Sequence, residues 1–208
     1  MLLLAAVRAA LPSPRYVLSS ALNAGVWALR NVNLAAACTY LDLVNLMAYD
    51  FSGPWQPKTG HQSQLHTPLR PFDNDHRTSC QSAVTYMLQQ GVPAYRIMLG
   101  IPAYGRSFVG ANNIGQPYSG CAGQEGTFEY RHLPRPGAQE HVDAQVGAAY
   151  CVGGDGGFVT YDNPQTVTMK ANFVKQNKLA GIFYWTGTAD SADPNRSLVY
   201  TSYMALHS

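Results

Sequence analysis

An apolar run of the kind found in buried strands, Leu43 to Ala48, leads straight into Tyr49, Asp50 and Phe51 and then into a Gly53-Pro54-Trp55 turn. Strands buried in this way belong to parallel sheets with both faces covered by helices. In such architectures the groups just past a strand's carboxyl end stand where a ligand is held. Asp, Ser, Gly and Pro are also common turn formers, so this segment alone supports a strand-ending turn and a ligand site equally.

The alternation along the rest of the chain sets the class. Leu3, Val7, Ala10 and Leu11 recur at helical spacing before Pro12 and Pro14 stop the helix. No basic residue precedes this apolar run and Arg8 interrupts it, so it reads as a helix rather than a secretory leader. The chain is therefore expected to begin inside a helix, with no strand before it. A strand is predicted at Tyr16 to Leu22, a short helix at Asn33 to Tyr40, and a second strand at Leu43 to Ala48. A polar loop rich in His, Gln and Pro follows, then a helix from Ser79 to Gln90 ended by Gly91 and Pro93, then a strand at Arg96 to Ile101.

From Gly105 to Tyr161 the pattern changes to Gly, Pro and aromatic residues with short strand-like pieces, GTFEY and GGFVTY. That is too long for an ordinary strand-to-helix loop and reads as an insertion. Asn163 and Pro164 supply an N-cap and a first helical residue for a helix to Asn177. A last strand, Gly181 to Trp185, and a final helix ending at Leu206 complete the chain. Strands separated by helices imply parallel pairing and an α/β class. Four parallel strands are half of an eight-stranded barrel, and no internal repeat supplies the others.

With 46% hydrophobic and 12% charged residues among 208, the chain is globular and unusually poor in charge against the roughly 25% typical of soluble domains. An aromatic content of 11% at that charge suits neutral polar ligands such as sugars. With a net charge of +2 and no Lys/Arg run, no nucleic-acid partner is expected. No stretch of about 18 apolar residues is present to span a membrane. Cys38, Cys80, Cys121 and Cys151 have no metal-ligand spacing, so neither a metal nor a cofactor is expected. Cys121 and Cys151 flank one Gly-rich stretch and read either as a disulfide or as free thiols.

Three strand ends carry the chemistry: MAYDF at Met47 to Phe51, IPAYGRSF at Ile101 to Phe108, and IFYWTGTAD at Ile182 to Asp190. Each places polar or aromatic groups just past an apolar strand. Tyr49, Asp50, Tyr104, Arg106 and Trp185 are expected to converge on one face, with phenols and a carboxylate to bond an acetamido or hydroxyl group and an indole to stack beneath a ring.

These segments, with LSSALNAG before them and VTYDNP between, resemble the second half of a glycoside hydrolase family 18 domain, the chitinase-type barrel. The resemblance covers nearly the whole chain and implies that residues 1–208 form a partial (β/α)8 TIM barrel with an α+β subdomain inserted at 105–161. It implies chitin or chitooligosaccharide as partner, with Tyr49 and Asp50 holding the N-acetyl group at the cleavage site and Met47 beside them. Tyr104 and Arg106 match positions lining the cleft, and Trp185 matches the indole under the cleaved sugar. Met47 can equally be core, and Arg106 can serve to pair with an acid. Trp55 is either a sugar platform or surface packing, with packing the expectation.

The family mechanism is substrate-assisted: the acetamido oxygen attacks the anomeric carbon while a glutamic acid protonates the leaving oxygen. The family carries that acid at the end of a DxxDxDxE motif, which this sequence does not contain. Its glutamates, Glu125, Glu129 and Glu140, all fall in the insertion. No catalytic residue is therefore assigned, and the chain as written is expected not to hydrolyse chitin. The family is mostly extracellular, and the compartment of this chain is left open. A half barrel would leave both sheet edges open and side chains such as Leu46 and Ile182 without opposing layers, so the isolated chain is expected to be marginal, aggregation-prone or partner-dependent. Three readings follow: part of a hydrolase active at full length, a non-catalytic chitooligosaccharide-binding protein, or a decayed remnant.

Overall fold

The computed structural model describes residues 1–69 and 77–208, so part of the expected polar loop, residues 70–76, lies outside the described residues. Helix α1 (Leu2–Ala10) is anchored by Arg8, whose Nε donates to the Tyr40 carbonyl at 2.8 Å and whose Nη2 donates to Asp42 Oδ2 at 2.5 Å. The same Asp42 oxygen accepts from the Leu18 amide at 2.7 Å. This bond sets where the first strand starts: β1 runs Ser19–Asn23, three residues later than the sequence suggests. Two short helices, α2 (Val26–Leu29) and α3 (Leu34–Ala37), lead to β2 (Leu43–Met47). Helix α3 is shorter than expected because the Arg96 guanidinium donates to the carbonyls of Cys38 and Leu41, closing its C-terminal end.

Capping signals place the longer helices. Helix α4 (Cys80–Gln89) opens on a Ser79–Ser82 capping box and gives way at Gly91, whose φ of 83° only glycine adopts freely. Strand β3 (Ile97–Pro102) follows. No described helix is long and apolar enough to cross a membrane.

After Ala103 the chain enters a second sheet. Its strands are β4 (Tyr104–Phe108), β5 (Thr127–Glu129), β6 (Gln139–Asp143), β7 (Ala148–Val152) and β8 (Phe158–Tyr161), in the order β5-β4-β8-β7-β6 and all antiparallel. Its helical content is confined to 3₁₀ turns at Tyr130–His132 and Gly154–Gly156. Helix α5 (Pro164–Gln176), capped by Asn163, returns the chain to β9 (Gly181–Trp185), and α6 (Leu198–His207), capped by Ser197, ends it.

The first sheet has the order β1-β2-β3-β9 with every neighbouring pair parallel, from Ser19 opposite Leu43 at one edge to Pro102 opposite Trp185 at the other. Side chains alternate between its faces. Val44 and Leu46 point into the helix layer, where they join Val84, Met87, Ile97, Leu99 and Val174 in one core. Leu46 is thus fully buried, contrary to the expectation that it would lack an opposing layer, because its register puts it on the helix side. Ile182 is half-buried and packs on both the first core and that of the second sheet. The other face carries Ser19, Ala21 and Asn23, all exposed, beside the half-buried Asn45 and Met47.

VTYDNP does structural work at the junction of the sheets. Asp162 is fully buried and accepts from Lys170 Nζ at 2.6 Å, Ser63 Oγ at 2.8 Å and Thr166 Oγ1 at 2.8 Å. Lys170 is itself fully buried, so each charge depends on the other. All four cysteines are free thiols; Cys121 and Cys151 are not bonded to each other.

Candidate functional site

Strand β2 delivers Tyr49 and Asp50 to the carboxyl edge of the parallel sheet. Asp50 has a φ of 61°, in the left-handed region that aspartate tolerates better than most non-glycine residues and that often marks functional positions. Its Oδ1 accepts from the Tyr104 hydroxyl at 2.6 Å and from Arg106 Nε at 2.7 Å. Its Oδ2 accepts nothing from the described residues, and the side chain is 38% exposed. One oxygen orients the carboxylate while the other stays open to a ligand donor.

The surroundings keep these groups in defined protonation states. Burial, reinforced by the Asp50 charge, pushes the Tyr49 phenol up to about 12, and the same two causes push Tyr104 still higher. Both phenols are therefore hydrogen-bond donors at neutral pH. Burial alone would lower Arg106, but the Asp50 carboxylate outweighs it and the guanidinium stays charged. Its Cζ also lies 4.7 Å over the Trp55 ring, a cation–π contact that steadies the indole. Tyr49 stands edge-on to Tyr104 at 6.2 Å and to Phe183 at 6.5 Å.

A cleft of about 590 Å³ opens above the ends of β1 and β2, lined among others by Asn23, Trp27, Tyr49, Asp50, Trp55 and Gln56. Among the residues singled out from the sequence, Tyr49 and Asp50 are in its wall. Tyr104 and Arg106 stand behind Asp50, on the first strand of the second sheet rather than at the end of a barrel strand. Met47 is half-buried on the open face, in register with Asn23, and is not core. Trp185 ends β9, two strands along the sheet from β2, on the face that carries Phe183. Trp55 lines the cleft, with the Arg106 guanidinium packed over its ring.

The glutamates stand elsewhere. Glu140 is held by Arg196 at 2.9 and 3.0 Å and by the Tyr161 hydroxyl at 2.7 Å. Glu129 pairs with Arg131 at 2.8 Å, and Glu125 sits exposed in a loop. Asn23, Trp27 and Gln56 were missed in the sequence; the one signal available was that Gly25-Val26-Trp27 repeats the Gly-x-Trp spacing of Gly53-Pro54-Trp55.

The model of the glycosyl hydrolases family 18 matches residues 1–190. The chain belongs to this family. As a family 18 chain it is 33% identical over 221 residues to Chitinase 1 of Aphanocladium album, an alignment covering all of this chain and 52% of that protein. Its fold superposes on catalytic domain 2 of the Group II chitinase of Ostrinia furnacalis with a TM-score of 0.87 at 25% identity, over 99% of this chain and 58% of the other. It superposes equally on human YKL-39, described as a pseudo-chitinase with retained chitooligosaccharide binding properties, with a TM-score of 0.88 at 25% identity over 99% and 63% of the two chains. The chain spans about half the length of the curated relatives it matches. Its two sheets are accordingly part of a family 18 TIM barrel and the subdomain inserted in it.

Proposed function

We propose that the cleft binds β-1,4-linked N-acetylglucosamine oligomers. The observation that carries this is Asp50, with Oδ1 taken by Tyr104 and Arg106 and Oδ2 left open in a cleft that Tyr49 also lines. An oriented carboxylate takes an amide N–H or a hydroxyl as donor, and a protonated phenol gives a hydrogen bond to an acetamido carbonyl. Tyr49 and Asp50 together thus match an acetamido group. Trp55 offers the C–H face of a pyranose an indole, and Trp185 does the same further along the sheet edge.

In a complete barrel the held acetamido oxygen would attack the anomeric carbon, which leaves only a proton to be delivered to the departing oxygen. Glu140 and Glu129 are engaged in ion pairs and Glu125 sits in an exposed loop of the second sheet, so no described glutamate is placed to supply that proton. This favours a second reading for these 208 residues on their own, binding without hydrolysis; in a longer polypeptide the acid would come from another segment. Calorimetric titration of the chain with chitotetraose, with chromatography of the mixture, tests both. Binding without shortened products is expected, weakened by Asp50→Ala. Failure to bind at millimolar ligand would refute the cleft reading, and turnover abolished by Asp50→Ala would refute its inactivity.

A further inference from the structure

Two indoles are presented to this cleft by the same local device. In Gly25-Val26-Trp27 and Gly53-Pro54-Trp55 the ring folds back over the glycine two residues before it. A Cβ on Gly25 would come within 2.4 Å of Trp27 Nε1, and one on Gly53 within 2.3 Å of Trp55 Cη2. Each glycine therefore lets an indole lie against the backbone. The first turn is held further by the Asn23 side chain, whose Oδ1 accepts the Gly25 amide at 2.7 Å. The Trp27 carbonyl accepts from Asn31 Nδ2 at 2.9 Å.

The two turns follow neighbouring parallel strands, with Asn23 opposite Met47 at their carboxyl ends. Both rings line the same cavity of about 590 Å³, and they are 67% and 57% exposed. A solitary exposed indole is ordinary, but two held in one cavity with carboxamides and a carboxylate make an apolar and polar wall together. The amide oxygen of Gln56, in the same wall, is buried without a hydrogen-bond partner among the described residues. The carboxamides and carboxylate of this wall take sugar hydroxyls and acetamido N–H groups as donors. Pyranose rings pair such donors with an apolar face.

We propose that Trp27 is a second sugar platform, beyond the Trp55 position, which makes the cleft read the length of the oligomer. Trp27 stacks on a third N-acetylglucosamine ring, next to the two that Trp55 and Asp50 hold. This rests on the reading of the cleft as a chitooligosaccharide site.

Calorimetric titrations of the 208-residue chain with chitobiose and chitotetraose separate the two claims. Trp27→Ala is expected to weaken chitotetraose binding about two- to tenfold, the range of one aromatic contact, and to leave chitobiose unchanged. Trp27→Phe should keep most of the affinity, and because Trp27 is exposed neither variant should alter the circular dichroism or Tm. Parent-like chitotetraose binding by Trp27→Ala would overturn the second platform while leaving the cleft reading intact, as would an equal loss for both ligands. No binding of either ligand by the parent chain would overturn both.

Discussion

Arg106 donates from Nε to Oδ1 of Asp50 at 2.7 Å, joining residues 56 positions apart and tying the second sheet to the open end of β2. The pair is asymmetric: the arginine side chain is 12% exposed and the aspartate 38%. The same guanidinium rests on Trp55, so one cation orients both the carboxylate and the indole of the cleft.

Removing that oxygen acceptor should therefore cost more than a ligand contact. Asp50→Ala leaves Arg106 largely buried without its anion and is expected to destabilise the fold by about 1–2 kcal/mol, between the values for exposed and buried pairs. Tyr104→Phe removes one neutral donor and should cost about 1 kcal/mol while loosening the carboxylate. Thermal unfolding reports the first effect, and chitotetraose titration should show both variants weakened.

Lys170 and Asp162 lie far deeper, with both side chains fully buried. Lys170→Met strands a buried carboxylate and is expected to cost about 3–5 kcal/mol in urea unfolding. A loss below about 1 kcal/mol would mean that the Ser63 and Thr166 hydroxyls suffice to hold Asp162.

Acid stability should follow Glu140. Burial works to raise this carboxyl, but the hydrogen bonds from Arg196 and Tyr161 outweigh it and hold the group below its ordinary 4.5. A carboxyl depressed in the folded state binds protons more readily when unfolded, so its contribution is complete above the unfolded value and declines as pH falls through the folded one. Tm is expected to be level above pH 4.5 as far as this group is concerned and to drop below it. Glu140→Gln should lower the plateau and flatten that drop; an unchanged acid limb would show that other groups control it.

Two glycines should respond differently to alanine. At Gly100 the added Cβ would meet the Leu46 carbonyl oxygen and the Phe183 ring, both at 2.7 Å, and backbone cannot swing away. Gly100→Ala is expected to lose about 1–3 kcal/mol of stability through overpacking. At Gly53 the atoms nearest the Cβ all belong to the Trp55 ring, which can move. Gly53→Ala should keep Tm and displace the indole, lowering chitotetraose affinity about as much as Trp55→Ala, by about two- to tenfold.

The helices were legible because their start signals are local. Ser79 and Asn163 each bond the amide three residues on, within one turn of chain, and Pro164 needs no partner. Strand β1 was displaced from its expected position because the bond that sets its start joins Leu18 to Asp42, 24 residues away. Leu46 faces the helices rather than the barrel interior for a related reason: an apolar run shows that a strand is buried, whereas the register with its neighbours decides which side chains meet the helices.

The alternation of strands and helices, the family, and the arrival of Tyr49 and Asp50 at a strand end are all written in contiguous residues and so are readable without the fold. It took the folded chain to show that Tyr104 and Arg106 close on one oxygen of Asp50 and that Trp27 lines the same cleft as Trp55. Those facts depend on which strands are neighbours and on how the second sheet folds back over the first. Contacts between groups tens of residues apart have no local signature, and the cleft is made of such contacts.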